Sequence, residues 1–127
     1  MKEKEKKPQT KEFVVGNTTI APGVVETIVS LAAAEVAGVA GVGNAGPISA
    51  ISAAFSAGKA IPTGGIKLAL NEEGNVEVDI SLQAYYGYRL VEVAENVRSA
   101  IADALKGQIG VDTAFVDVRV DALAFEE

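Results

Sequence analysis

Residues 76 to 84 alternate strictly between apolar and polar side chains. Val76, Val78, Ile80 and Leu82 form one series, and Glu77, Asp79, Ser81 and Gln83 form the other. Because successive side chains of a strand point to opposite faces, the pattern predicts a strand in a sheet that is covered on one face only. Residues 66–70 predict a partner strand, and the polar residues 71–75 join the two as a β-hairpin.

From residue 89 to residue 107 the pattern changes to a helical one. One side of this helix is apolar and consists of Leu90, Val93, Ala94, Val97, Ala100, Ile101, Ala104 and Leu105. The opposite side carries Glu92, Glu95, Ser99, Asp103 and Lys106, and it meets water or a partner. We expect the apolar side to cover the sheet and Gly107 to end the helix.

Two further elements are predicted near the start of the chain. Residues 13–20 form a short hairpin, since apolar residues flank the turn-forming pair Gly16-Asn17. A largely apolar helix then runs from Pro22, a residue suited to the first helical position, to about Ala37. Gly38 is its expected cap.

The last predicted strand spans residues 112–124. Its inward series is Val116, Val118 and Val120, and its outward series is Asp117, Arg119 and Asp121. Phe115, Leu123 and Phe125 break this rule, because they share the polar face and form an apolar strip there. The strip either marks a self-association surface or is covered by the amino-terminal hairpin or by loops.

The elements run β-β-α-β-β-α-β, which is typical of an α+β two-layer sandwich. In this fold an antiparallel sheet is covered on one face by the two main helices. We expect residues 1–12 to be a disordered charged tail and residues 13–127 to be a single domain. Residues 41–65, rich in Gly, Ala and Ser, predict a loop or a short helix. Ile48, Ile51 and Phe55 form a narrow helical stripe there, which either packs on the domain or docks onto a partner.

The composition of the 127-residue chain limits its chemistry, because it contains no Cys and no His. Thiolate nucleophiles, disulfides, imidazole bases and the common zinc sites are therefore excluded. The outward carboxylates Asp79 and Glu77 predict cross-strand ion pairs with Arg119, with binding of a hard cation as the alternative. Without a paired nucleophile and base, we predict no catalytic residue, no cofactor and no metal, and so no enzyme.

The charge is unevenly distributed along the chain. Residues 1–12 carry a net charge of +2 and the remainder −8, for a total of −6. An acidic domain repels phosphate backbones, so nucleic acid is not an expected partner. Residues 36–58 are uncharged but too weakly apolar for a membrane span. Since no apolar signal segment stands at the amino terminus, we expect a cytoplasmic protein.

A glycine pattern from Gly41 to Gly46 formally matches the G-x-G-x-x-G fingerprint of dinucleotide-binding proteins. Glu72 imitates the ribose-binding acid, but it lies 26 positions after Gly46 instead of about 20. A true fingerprint follows a buried parallel strand and opens a helix. Here a predicted helix comes before the glycines, so a flexible loop is favoured. A nucleotide-binding module is kept as an unfavoured alternative.

A more specific pattern lies between the alternating strand and the second helix. It consists of Tyr86-Gly87, Leu90, Glu92-Val93-Ala94, Val97 and Arg98. Two other parts accompany it: Ile20-Ala21-Pro22 through Glu35-Val36-Ala37-Gly38-Val39, and Gly110-Val111 followed by Val116, Val118 and Val120. Together they resemble the bacterial alkaline shock protein family over roughly residues 17 to 123. Arg98 is a departure, since the family usually has Gln at this place.

The resemblance implies a role in the envelope stress response or in cell envelope homeostasis. It implies that this role is carried out by binding a protein partner and by self-association. Members of the family reach the membrane through an anchor protein, which implies a cytoplasmic protein that is peripheral at the inner face. Some members are associated with lipid metabolism, so a small regulatory subunit of a lipid-metabolism enzyme is the main alternative.

The candidate interaction residues come from the tyrosine turn, the polar side of the second helix and the apolar strip. They are Tyr86, Tyr88, Glu92, Glu95, Arg98, Phe115, Leu123 and Phe125. Tyrosine and phenylalanine at a surface supply large, rigid anchors for a protein contact. A turn that is simply packed by its own aromatic residues is the alternative for the tyrosines.

Overall fold

A computed structural model describes residues 13–15, 17–43, 56–58 and 65–125. Its elements in chain order are β1 (Phe13–Val15), β2 (Thr18–Ile20), α1 (Pro22–Ala34), β3 (Val39–Val42), β4 (Ile66–Leu70), β5 (Val76–Tyr85), α2 (Leu90–Gln108) and β6 (Thr113–Ala124). The α+β class is confirmed, and the order matches the predicted one with β3 added. The predicted tail of residues 1–12 and the stripe of Ile48, Ile51 and Phe55 lie outside the described residues.

Strand β5 is the centre of a four-stranded sheet. Strands β3 and β4 both pair antiparallel with one side of β5, β3 near its carboxyl end and β4 near its amino end. Strand β6 pairs with the other side of β5, since Ile80 lies opposite both Ile66 of β4 and Val118 of β6. Strands β1 and β2 form the separate hairpin that was predicted.

The prediction of a wholly antiparallel sheet is wrong for β6, which runs parallel to β5. Parallel neighbours need a crossover connection of a dozen or more residues, usually a helix, and the 19-residue α2 supplies it. Helix α2 carries the chain back along the sheet, so that Thr113 lies opposite Val76. Alternation of side chains predicts which face of β6 is buried but not the direction in which the strand runs.

Strand β3 was missed because residues 41–65 were predicted as a loop or a short helix. All four of its residues are buried, so it has no alternation that would mark it as a strand. It pairs with the end of β5, where Val42 lies opposite Leu82. The outcome for most of residues 44–64 lies outside the described part of the chain.

Both helices begin close to the predicted position but end elsewhere. Helix α1 starts at Pro22, as predicted, and ends at Ala34 instead of about Ala37. Helix α2 continues past Gly107 to Gln108. Its end is set by Gly110, which has a φ of 85° and donates its N–H to the Leu105 carbonyl oxygen at 3.0 Å. A glycine at a positive φ is the common way to terminate a helix.

The core lies between the helices and one face of the sheet. Its fully buried aliphatic side chains are Val25 and Val29 of α1, Val97, Ile101 and Leu105 of α2, and Val76, Val78, Ile80 and Leu82 of β5. Each such side chain contributes about 1.5–3 kcal/mol when it leaves water. Because α1 and α2 contact each other on the same side of the sheet, the predicted two-layer arrangement is confirmed.

Candidate interaction surface

A cluster of large apolar side chains lies exposed where β5, the start of α2 and the end of β6 meet. We call it the aromatic patch, and its members with their exposed fractions are Tyr86 66%, Tyr88 38%, Leu90 37%, Leu123 51% and Phe125 77%. Four of them, Tyr86, Tyr88, Leu90 and Leu123, line one shallow surface depression together with Gly87. The structure therefore brings four of the sequence-predicted candidates, Tyr86, Tyr88, Leu123 and Phe125, to one place.

Backbone and ring contacts hold the aromatic patch in position. The rings of Tyr86 and Phe125 lie 5.6 Å apart between centroids, with 42° between their planes. The Tyr86 N–H donates to the Ala124 carbonyl oxygen at 2.8 Å, which ties the turn to the end of β6. A surface whose anchors are already ordered loses less conformational entropy when it binds a partner.

Tyr88 is fixed by a different contact. Gly38 approaches it so closely that a Cβ at position 38 would lie 2.8 Å from the Tyr88 ring and from the Val93 side chain. Gly38 also has a φ of 95°, which other residues rarely adopt. The ring of Tyr85 lies 6.4 Å from that of Tyr88. Gly38 was predicted to cap α1, but its place in the fold is beneath this tyrosine.

The predicted strip of Phe115, Leu123 and Phe125 on one polar face is wrong, because Leu123 and Phe125 follow a bulge in β6 and belong to the aromatic patch, away from Phe115. The pairing of β6 with β5 shifts register at Asp121, so that Leu123 lies opposite Ala84, a residue of the buried series. A bulge of this kind moves the following side chains to the other face. Leu123 therefore joins the side of the sheet on which α2 lies.

Phe115 is far from the aromatic patch. It lies opposite Glu77, near the start of β5, whereas Leu123 lies opposite Ala84 near its end. Leu123 lies eight positions after Phe115 along the strand, a distance of about 25 Å. Phe115 is 47% exposed and lines a separate depression with Lys67, Asp79 and Asp117 on the outer face of the sheet.

The polar side of α2 contains the other three candidates, Glu92, Glu95 and Arg98. Glu92 lies exposed in the first helical turn, two residues after Leu90, where a carboxylate interacts favourably with the helix dipole. Arg98 forms an ion pair with Glu95, with 2.9 Å between Nη1 and Oε2. Arg98 also donates from Nε to the Val116 carbonyl oxygen at 2.9 Å, so part of its role is to attach α2 to β6.

The outer face of the sheet carries an ion-pair network around Arg119. Its Nη1 lies 4.0 Å from Oδ1 of Asp79 and its Nε lies 3.4 Å from Oδ1 of Asp121. Its Nη2 donates to the Ser81 hydroxyl at 3.0 Å. The predicted cross-strand pair of Arg119 with Asp79 is confirmed. Within the described ranges, no group of three or more acidic side chains is placed to hold a metal ion.

The glycine pattern begins at Gly41, and its described part, residues 41–43, does not open a helix. Gly41 and Val42 belong to β3, and the Gly43 N–H donates to the Ser81 carbonyl oxygen at 2.8 Å. These backbone groups are engaged in or beside the sheet, whereas a phosphate site needs free N–H groups at a helix amino terminus. Residues 44–46 of the pattern lie outside the described part.

Leu90 and Val91 are exposed residues that the helical pattern did not predict at the surface. Leu90 was assigned to the packing side of the helix, but it belongs to the first turn and is more than one-third exposed. Val91 is 77% exposed and follows directly. One signal was available, because an apolar residue at position 91 falls outside the apolar side of the helix.

None of the helices in the described part of the chain is both long enough and apolar enough to cross a membrane. Helix α2 has 19 residues, but charged side chains interrupt it along its whole length.

Comparison with known proteins agrees with the motif. A model of the alkaline shock protein family, described as having a "cell envelope-related function", matches residues 10–125. The uncharacterized protein Spy1535 of Streptococcus pyogenes serotype M6 is 28% identical over 118 residues, which are 93% of this chain and 86% of that protein. No solved structure matches the chain. The predicted resemblance is thus confirmed, and the chain belongs to the alkaline shock protein family, whose function is related to the cell envelope.

Proposed function

We propose that this protein serves the envelope stress response and cell envelope homeostasis without catalysing a reaction, by binding a protein partner and by associating with itself. The observation that carries the proposal is the aromatic patch, in which four large exposed apolar side chains line one depression and a fifth, Phe125, contacts one of them, Tyr86. The protein acts in the cytoplasm and reaches the inner face of the membrane through its partner, a membrane anchor protein.

Exposed aromatic side chains favour a protein-binding role over a structural one. A contiguous exposed apolar surface marks an interaction site more often than an isolated apolar residue does. Tyrosine is among the residue types that contribute most to binding energy when they become buried at the centre of an interface. The paired rings of Tyr86 and Phe125 supply such anchors, and their contact fixes them before binding.

The surroundings of the aromatic patch indicate the chemistry of the partner. Glu92 is exposed in the first turn of α2 and follows Leu90 and Val91 in the chain, and we assign it to an acidic rim of the patch. A matching partner segment carries aliphatic or aromatic side chains for the depression and a Lys or Arg beside them. Charge at the rim of an interface contributes mainly to specificity and to the association rate.

The test is a quantitative pull-down from native lysate, with membranes included, using wild type and two matched variants. Phe125→Ser removes an anchor of the aromatic patch, and Phe115→Ser removes an exposed aromatic side chain at the other end of the same strand. We expect Phe125→Ser to reduce recovery of the partner at least about tenfold, as for a hot-spot residue, and Phe115→Ser to leave it unchanged. Equal recovery with both variants would exclude the aromatic patch as the binding site.

The identity of the captured protein distinguishes two readings of the same surface. A membrane anchor supports the envelope role. A soluble enzyme of lipid metabolism supports the alternative in which the chain is a small regulatory subunit. In either case the bound protein is lost with Phe125→Ser, so the site is tested independently of the partner's name.

A further inference from the structure

Strand β6 forms one border of the four-stranded sheet. Among the described residues it pairs with β5 alone, so the backbone groups of its other edge point away from the sheet. An unpaired strand edge is a template for a strand from another chain. We propose that β6 pairs antiparallel with β6 of a second copy of this chain, with Val118 on the two-fold axis. The proposal rests on the self-association in the proposed function and specifies its surface.

The length of β6 distinguishes it from the opposite border of the sheet. That border consists of β3 and β4, which have four and five residues, whereas β6 has 12. Proteins commonly protect exposed edges by keeping them short, and β6 lacks this protection. Its pairing with β5 is regular from Phe115 to Val120, and these residues offer a straight edge.

The charged side chains of β6 favour one register for the pairing of the two β6 strands. Two symmetric antiparallel registers pair five residues of the segment 115–120 with the same segment of the second copy. In one register the two-fold axis passes through Asp117, and in the other it passes through Val118. The first places Asp117 directly opposite its own copy, and like charges in that position are destabilising. The second places Asp117 of each copy opposite Arg119 of the other. The alternating charges of β6 therefore complement themselves only when Val118 is central.

The apolar side chains fit the same register. With Val118 on the axis, Val116 of each copy lies opposite Val120 of the other, so β-branched side chains meet on the inner face of the extended sheet. Cross-strand pairs of β-branched residues stabilise a sheet. The buried face of one copy then continues into that of the next.

The hydrogen bond from Arg98 to the Val116 carbonyl oxygen is compatible with pairing of a second strand along this edge of β6. A strand carbonyl lies in the plane of the sheet, so the half-exposed guanidinium of Arg98 reaches the Val116 oxygen from the free border of β6. A carbonyl oxygen has two lone pairs and can accept a second hydrogen bond. Val116 is thus able to accept from Arg98 and from the Val120 N–H of the second copy together.

The first test reverses single charges and then combines the variants. Wild type, Asp117→Arg and Arg119→Asp are each measured by sedimentation over a range of concentrations, after circular dichroism has verified that they are folded. Wild type is expected to dimerise, and each variant alone to raise the dissociation constant at least about tenfold, because positions 117 and 119 of opposing copies then carry like charges. An equimolar mixture of the two variants is expected to restore the dimer, because opposite charges face each other again.

A second test reads the register directly and does not depend on charge. The chain has no Cys, so Asp117→Cys and Arg119→Cys each introduce a single thiol. In the proposed register these positions are a non-hydrogen-bonded antiparallel pair with Cα atoms about 4.5 Å apart, which a disulfide can bridge. Oxidation of the mixture is expected to give the cross-linked heterodimer, and neither variant alone is expected to cross-link.

Two outcomes would overturn the proposed pairing of β6 with its copy. Cross-linking of Asp117→Cys with itself would show the other register and overturn the proposal. So would a wild-type protein that stays monomeric at about 1 mM, because its dissociation constant for self-association would then be weaker than about 1 mM. Because these variants leave the aromatic patch intact, a partner still captured by a monomeric protein would leave the partner-binding part of the proposed function standing.

Discussion

The guanidinium of Arg98 connects the second helix to the last strand by donating from Nε to the Val116 carbonyl oxygen at 2.9 Å. The same side chain forms an ion pair with Glu95 through Nη1. The resemblance to the family motif predicts Gln where this chain has Arg98, and Gln can also donate to a carbonyl but carries no charge. Arg98 therefore keeps a hydrogen-bond donor for the Val116 carbonyl oxygen and adds the ion pair with Glu95.

Arg98→Ala is expected to lower the free energy of unfolding by about 1 kcal/mol, since the half-buried hydrogen bond to Val116 is lost. Arg98→Gln should restore part of this loss. Glu95→Ala is the matched control, because it removes only the exposed ion pair and should cost less than about 0.5 kcal/mol. Urea denaturation measures all three variants, and equal losses for Arg98→Ala and Glu95→Ala would argue against the bond to β6.

Val97→Asp is expected to abolish cooperative folding, because Val97 lies on the buried side of α2 and a carboxylate there would be uncompensated. The control is Val91→Asp, which makes the same change in the same helix at a site that is 77% exposed. An acidic residue in the first turn is also favourable to the helix dipole. Circular dichroism during heating distinguishes them, and a folded Val97→Asp variant would contradict the described core.

Gly38→Ala is expected to lower the melting temperature, with a loss of about 2 kcal/mol, because the residue has a positive φ and its Cβ would clash with Tyr88 and Val93. Gly107→Ala should have the opposite effect. Gly107 lies inside α2 with no atom within 4 Å of a Cβ placed there, so alanine should stabilise the helix by about 0.5–1 kcal/mol. Two shifts of the same sign would contradict the placement of one of these glycines.

Glu92→Lys is expected to leave the fold intact and to weaken binding of the partner, because it reverses the charge at the rim of the aromatic patch. Asp103→Lys makes the same change of net charge on the same exposed side of the helix, about 16 Å away. Partner recovery from native lysate should fall with the first variant alone. If both variants lost the partner to the same extent, the net charge of the helix and not the rim would be responsible.

The patterns along the chain predicted its class and most of its elements. The alternation from Val76 to Leu82 and the apolar side of α2 depend only on the repeat of each element, so the buried residues could be identified without coordinates. The family motif was equally local. Its Tyr86-Gly87 pair and the following helix occur within a few residues of one another, and the family match confirmed it.

What the sequence determined was therefore most of the buried side chains and the approximate starts of the helices and strands that show a clear repeat. Only the tertiary structure decided that β6 runs parallel to β5, that Val39–Val42 form a strand, and that the bulge at Asp121 moves Leu123 next to Tyr86 and away from Phe115. These features arise from pairing between segments far apart in the chain. A one-residue shift in such pairing reverses the face of every side chain that follows, and local periodicity carries no information about it.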